Sequence, residues 1–147
     1  MNLLIRKMTL ADVHQVHDLG SKVEEFRPVS ESTNCFWPKE TLEAIAEKEI
    51  AYVAEKDGQI VGFLIATYQE STRKLTWENM YVRPEYRGGA IAHQCWVLAE
   101  QEARARGATY LCGMIEESNA LSFKMLEREG FTKGKIHVWM EKSLLEF

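Results

Sequence analysis

The chain has 147 residues, 46% of them hydrophobic and 27% charged, with a formal net charge of −4. One domain over residues 1–147 is expected, because a chain of this length buries about 68–70% of the surface it exposes when unfolded. The acidic balance lacks the cationic footprint that nucleic-acid binding requires, and no run approaches membrane-spanning length, so neither partner is expected.

The N-terminal stretch Met1–Leu10 has no sustained apolar core for a secretion signal, and the three cysteines, Cys35, Cys95 and Cys112, are too scattered for a disulfide framework or a zinc site. A cytoplasmic location is therefore expected. His14, His17, His93 and His137 show no metal-ligand spacing with carboxylates, so no metal is expected.

Asn2–Met8 reads as a first strand, and Thr9-Leu10-Ala11-Asp12 opens a helix whose apolar stripe begins with Val13, Val16 and His17. Glu24–Trp37 holds Pro28, Ser30, Ser32, Thr33 and Asn34 with little periodicity, which predicts a loop or broken helix. Pro38 suits a first helical turn, and Leu42, Ile45 and Ala46 give the second helix its buried face. Ile50–Ala54 and Ile60–Thr67 are apolar, β-branched runs joined through Asp57-Gly58, which predicts an antiparallel hairpin. Leu75–Val82 is the next strand, a helix begins near Ile91 and stops at Gly107, and Thr109–Ile115 is a further strand. A helix over Asn119–Glu129, capped by Ser118 or Asn119 and ended by Gly130, precedes a last strand over Ile136–Lys142.

The run from Met80 to Ala92 is a strand that turns through Gly88-Gly89 and opens a helix, a geometry that offers unpaired N–H groups to an anion, with Arg87 as an added cation. No Gly-Lys-Ser/Thr follows and no Gly-x-Gly-x-x-Gly is present, so neither familiar nucleotide loop fits. Arg87-Gly88-Gly89-Ala90-Ile91-Ala92 instead resembles the acetyl-CoA pyrophosphate loop of the GNAT (GCN5-related) N-acetyltransferases, with Ala90 where that pattern has glycine. A second block, Asn119…Gly130-Phe131, resembles the family's Asn-x-x-Ala-x-x-x-Tyr-x-x-x-Gly-Phe, with Ser122 at the alanine and Leu126 at the tyrosine.

The resemblance implies a GNAT α/β (α+β) fold: a central mixed, mostly antiparallel sheet, splayed at the CoA site and flanked by helices on both faces. It implies acetyl-CoA as co-substrate, held by Arg87, Gly88, Gly89, Ala90, Ile91 and Ala92 at the pyrophosphate and by the backbone of Met80, Tyr81 and Val82 along the arm. Asn119, Ser122 and Leu126 complete the cofactor set on the later helix. Because leucine cannot donate a proton, the departing thiolate is either unassisted or served by Ser122, one turn before Leu126.

Alternation in Leu75–Val82 sets Glu78 with Thr76 and Met80 on one face and Trp77, Asn79 and Tyr81 on the other. Glu78 stands where many GNAT enzymes carry a base or amine anchor, and is the candidate for both roles. Acceptor contacts are expected from Glu24–Trp37 and Tyr68–Lys74, with Phe26, Phe36 and Trp37 as walls and Glu25, Glu31 or Glu70 meeting a cation; the plainer reading of the aromatics is that they staple the loop to the core. Cys112, alone in an apolar strand, reads as core. The implied function is N-acetyl transfer to a small-molecule or peptide primary amine in a ternary complex, with an acyl-CoA-binding regulatory module as the competing class. The short Thr132–Lys135 connection would leave the acceptor side open or covered by a second subunit, and many members dimerise, so a homodimer is expected.

Overall fold

The computed structural model describes residues 3–27, 36–142 and 144. Their contacts divide into two compact units, Met1–Met114 and Ile115–Phe147.

In the first unit five strands pair in chain order: β1 (Leu3–Lys7), β2 (Ile50–Lys56), β3 (Gln59–Gln69), β4 (Lys74–Val82) and β5 (Tyr110–Cys112). The pairings from β1 to β4 are antiparallel and the β4–β5 pairing is parallel, the expected mixed sheet. Asp57 and Gly58 both take positive φ, 51° and 80°, as a two-residue hairpin loop between right-twisted strands demands. Three helices flank the sheet: α1 (Val13–Gly20), α2 (Lys39–Lys48) and α3 (Ile91–Ala105). Helix α2 begins one residue later than expected, with Pro38 as its N-cap.

Burial of every residue from Ile50 to Ala54 means that β2 is covered on both faces. On one face Ala51, Val53, Phe63 and Ile65 pack with Val16 of α1, Leu42 and Ile45 of α2, and Phe36. Against the other, α3 buries Ile91, Cys95, Trp96, Ala99 and Ala103. Burial pushes the Cys95 thiol up to about 12, which makes it inert packing.

The β3–β4 register steps from Ile65↔Asn79 to Ala66↔Trp77, so Glu78 is the extra residue of a β-bulge. Strict alternation therefore fails here. Trp77 meets Trp96 of α3 edge-on, with ring centres 5.8 Å apart, while the Trp37 indole N–H donates to Asn79 Oδ1 at 2.8 Å just ahead of α2. Trp77 and Asn79 thus serve opposite faces, correcting the expectation that they share one.

Strand β5 is also shorter than Thr109–Ile115. It pairs only Tyr110, Leu111 and Cys112 with Lys74, Leu75 and Thr76. The next residue, Gly113, lies against the Trp77 indole so closely that a Cβ there would come within 2.2 Å of the ring. The two strands part at this point, and among the described residues no strand pairs with β4 on this side from Glu78 to Val82.

An ionic cluster fastens β1 to its surroundings. The Arg6 guanidinium donates to both oxygens of Asp12, at 2.7 and 2.8 Å, and to Glu55 at 3.1 Å. Burial works against ionisation of Asp12, but those bonds and the Thr9 N–H outweigh it and hold its pKa below the ordinary value. The stabilisation is therefore present above the unfolded Asp pKa of about 3.9 and is lost as pH falls through the lower folded value. Asp12→Asn should cost about 1–2 kcal/mol at pH 7 and much less at pH 2.5, read by urea unfolding at each pH; an equal cost at both would contradict this.

The second unit holds α4 (Ala120–Arg128), capped by Asn119, whose Oδ1 accepts the Ser122 N–H at 3.1 Å. Gly130 takes φ 89° to end it. The expected strand over Ile136–Lys142 is not formed: residues 131–142 carry no helix or strand, and Ile136, Val138 and Met140 are 76%, 80% and 84% exposed. Apolar alternation creates a face, but a strand also needs a neighbour for its N–H and C=O groups.

Candidate active site

The glycine-turn segment follows β4 directly. The N–H of Arg83 bonds Val61 O at 2.8 Å, fixing the strand exit, and Pro84–Tyr86 form a 3-10 turn. Gly88 has φ 84°, and a Cβ added there would meet nothing within 4 Å, so its glycine is required by backbone conformation rather than by space. Ala90 is the N-cap of α3 and supplies no side-chain cap, and the first helical bond joins Gln94 N–H to Ala90 O at 2.9 Å. The first-turn N–H groups of Ile91 and Ala92 therefore face outward from the helix end, as an anion site needs. Arg87 Nε donates to Val82 O at 2.7 Å, and its guanidinium lies 5.5 Å from the Tyr81 ring centre. The cation is thus tied to the end of β4 beside Met80, Tyr81 and Val82.

On the face shared with α2, Glu78 is exposed and its Oε1 accepts the Thr67 hydroxyl at 2.7 Å. Thr67 also lines a cleft of about 220 Å³ with Trp37, Thr41, Lys48 and Glu49. The Glu49 carboxylate accepts the Tyr68 N–H at 2.9 Å, one residue along β3 from Thr67. Trp37 lines this cleft and also packs against the core, as the plainer reading has it. Phe26 does not line it: it stacks on Phe36 at 5.7 Å and meets Phe63 at 6.2 Å, which packs it against the core. Phe36 is core as well. Glu31 lies outside the described residues.

Thr67, Glu49 and Asn79 were not among the residues expected here. Nothing local in the sequence marks them, because the bulge at Glu78 and the reach of Trp37 depend on pairing across strands. Cys112 Sγ lies 3.7 Å from Thr76 Oγ1 and joins the parallel pair. In the second unit, Ser122 is half-buried and Leu126 is 5% exposed on α4. Among the described residues no group of three or more His, Cys, Asp or Glu could hold a metal ion, and no helix is long and apolar enough to cross a membrane.

Comparison with known proteins connects this geometry to relatives. The model of the acetyltransferase (GNAT) family matches residues 16–131. Streptothricin acetyltransferase of Streptomyces lavendulae is 33% identical over 75 residues, which are 51% of this chain and 40% of that protein, so the match spans well under half of the relative's length. Among solved structures, ribosomal-protein-alanine N-acetyltransferase from Brucella melitensis superposes with a TM-score of 0.72 at 25% identity over 90% of this chain and 86% of that one. The PaiA N-acetyltransferase from Thermoplasma acidophilum, in complex with coenzyme A, superposes with a TM-score of 0.75 at 17% identity over 93% and 94% of the two chains.

Proposed function

The chain belongs to the acetyltransferase (GNAT) family, and we propose that it transfers the acetyl group of acetyl-CoA to a primary amine, with both substrates held at once. The observation that carries this reading is the bare stretch of β4. Beyond Thr76↔Cys112 no strand pairs with Glu78–Val82 on the side away from β3 among the described residues, and the stretch runs into a glycine turn at the N-terminus of α3.

Those residues fit the co-substrate. Backbone groups of Met80, Tyr81 and Val82 would pair with an extended arm as with an added strand. The N–H groups from Gly88 to Ala92, with Arg87, would meet its pyrophosphate. Acetyl-CoA supplies the acetyl group already activated as a thioester. Support comes also from the coenzyme A complex of the structural neighbour and from the acetyltransferase relative.

An alkylamine is protonated up to about pH 10.4, so it must give up a proton before it can attack. Glu78 is the base in this reading, acting directly or through water, its carboxylate oriented by Thr67. Asn119 and Ser122 are assigned to the arm and Ser122 to the departing thiolate, which leaves readily because free thiols ionise near pKa ~8.5. The acceptor is a small-molecule or peptide amine entering at the cleft beside Trp37. A cytoplasmic homodimer is part of the same reading.

A binding module without chemistry is the second reading, favoured by apolar, buried Leu126 where the family pattern has tyrosine. Thermal stabilisation by acetyl-CoA with no thiol release on any amine would select it. Arg87→Glu should weaken acetyl-CoA binding about tenfold to a hundredfold, read as loss of that stabilisation; an unchanged Kd would contradict the phosphate role.

A further inference from the structure

Among the described residues two polar or charged side chains are buried, Asp12 at 4% and Asn79 at 9% exposure. Asp12 is saturated by Arg6 and Thr9. Asn79 is not. Its Oδ1 accepts from the Trp37 indole at 2.8 Å, and an indole N–H can only donate, so the orientation of the amide is fixed by chemistry. Nδ2 is left with two hydrogens and no partner among the described residues, yet it is not one of the sealed, unpaired side-chain atoms. A nine-tenths buried amide whose donor is unpaired and not sealed off marks a place where a ligand oxygen belongs, because leaving such a donor unmet costs free energy.

The position of that donor narrows the ligand. The bulge sets Glu78 next to Asn79 toward the α2 face, where one reaches Thr67 and the other reaches Trp37, both of which line the same cleft. One residue therefore presents a carboxylate, which accepts from an amine, and its neighbour presents an N–H₂, which accepts nothing from an amine. Adjacent groups of opposite hydrogen-bonding sense fit an acceptor whose amine and oxygen are also neighbours.

Resting on the transferase reading, we infer that Asn79 is a specificity-determining residue, and that the acceptor is an amine with an ether, hydroxyl or carbonyl oxygen on the carbon next to the aminomethyl group. The amine goes to Glu78 and the oxygen accepts from Asn79 Nδ2. Amino sugars, amino alcohols and aminoacyl groups have this arrangement; plain alkyl polyamines lack it and leave the amide unmet.

Matched acceptors test this. Tetrahydropyran-2-ylmethylamine and cyclohexylmethylamine differ only in a ring oxygen, and 2-methoxyethylamine and butylamine differ in the same way without a ring. With rates expressed per concentration of free base, the oxygen-bearing member of each pair should show about tenfold or greater kcat/KM in the wild type. Asn79→Asp keeps an oxygen for Trp37 and removes the donor, and should bring the ratio close to one; Asn79→Leu should do the same. Because the readout is a ratio between two substrates on one protein, a general loss of folding or activity does not imitate it. A wild-type ratio near one, or a ratio retained in Asn79→Asp, overturns the assignment while leaving the transferase reading standing. No transfer to either member of both pairs by protein that binds acetyl-CoA overturns both.

Discussion

Glu78→Gln should lower kcat/KM for the amine by about a hundredfold to ten-thousandfold, the usual contribution of a positioned general base, while acetyl-CoA affinity stays as in the wild type. The substitution is nearly isosteric and its amide oxygen can still accept the Thr67 hydroxyl that Glu78 Oε1 accepts at 2.7 Å. Position and fold are therefore retained, and the loss falls on proton removal. Raising the pH should recover part of the rate, because more of the acceptor is then neutral in solution and the missing base matters less. The measurement is thiol release against pH for both proteins, beside a Kd for acetyl-CoA from thermal shift. Equal kcat/KM values across that range would remove Glu78 from the chemistry. A kcat that holds while KM rises would make it an anchor for the amine rather than a base.

Gly113→Val should destabilise the protein by about 3 kcal/mol, at the upper end of what overpacking costs. Even the first added carbon would come within 2.2 Å of the Trp77 indole, and the indole cannot retreat freely because its edge contact with Trp96 fixes it from the α3 side. Either Trp77 leaves its place or β5 moves away from β4. Trp77→Ala should relieve much of the clash, so the two substitutions together should cost less than the sum of each alone, a coupling that a double-mutant cycle in urea reads directly. Additive costs would mean that Gly113 and Trp77 do not share this space.

How far the sequence foretold this arrangement follows from what is local. Ile50–Ala54, Ile60–Thr67 and Leu75–Val82 were legible because β-branched and apolar residues crowd them, and the Asp57-Gly58 turn declares its own conformation. The loop from Arg87 to Ala92 was legible because its glycines and the helix after it stand together in the chain. The bulge at Glu78 was not, since it records how β4 meets β3 and leaves no mark on either strand alone. Trp37 and Asn79 are separated by 42 positions, and neither residue type announces the other. For Ile136–Lys142 the apolar alternation was clear, but periodicity reports a face and not a neighbour.

The strand order carries a kinetic consequence. β1 aside, each antiparallel strand joins its predecessor across a short turn: Asp57-Gly58 between β2 and β3, Glu70–Thr72 and Arg73 between β3 and β4. Such pairings close small loops and form early. The β4–β5 pairing must wait for the whole of α3 to be spanned and returns only the short register from Lys74↔Tyr110 to Thr76↔Cys112. It is the contact the chain is expected to acquire late, which predicts that one wall of the proposed coenzyme cleft exchanges its amide hydrogens earlier than β2 and β3 do. A molecule lodged in the gap would lend that wall stability the polypeptide does not supply, and binding there would be coupled to ordering.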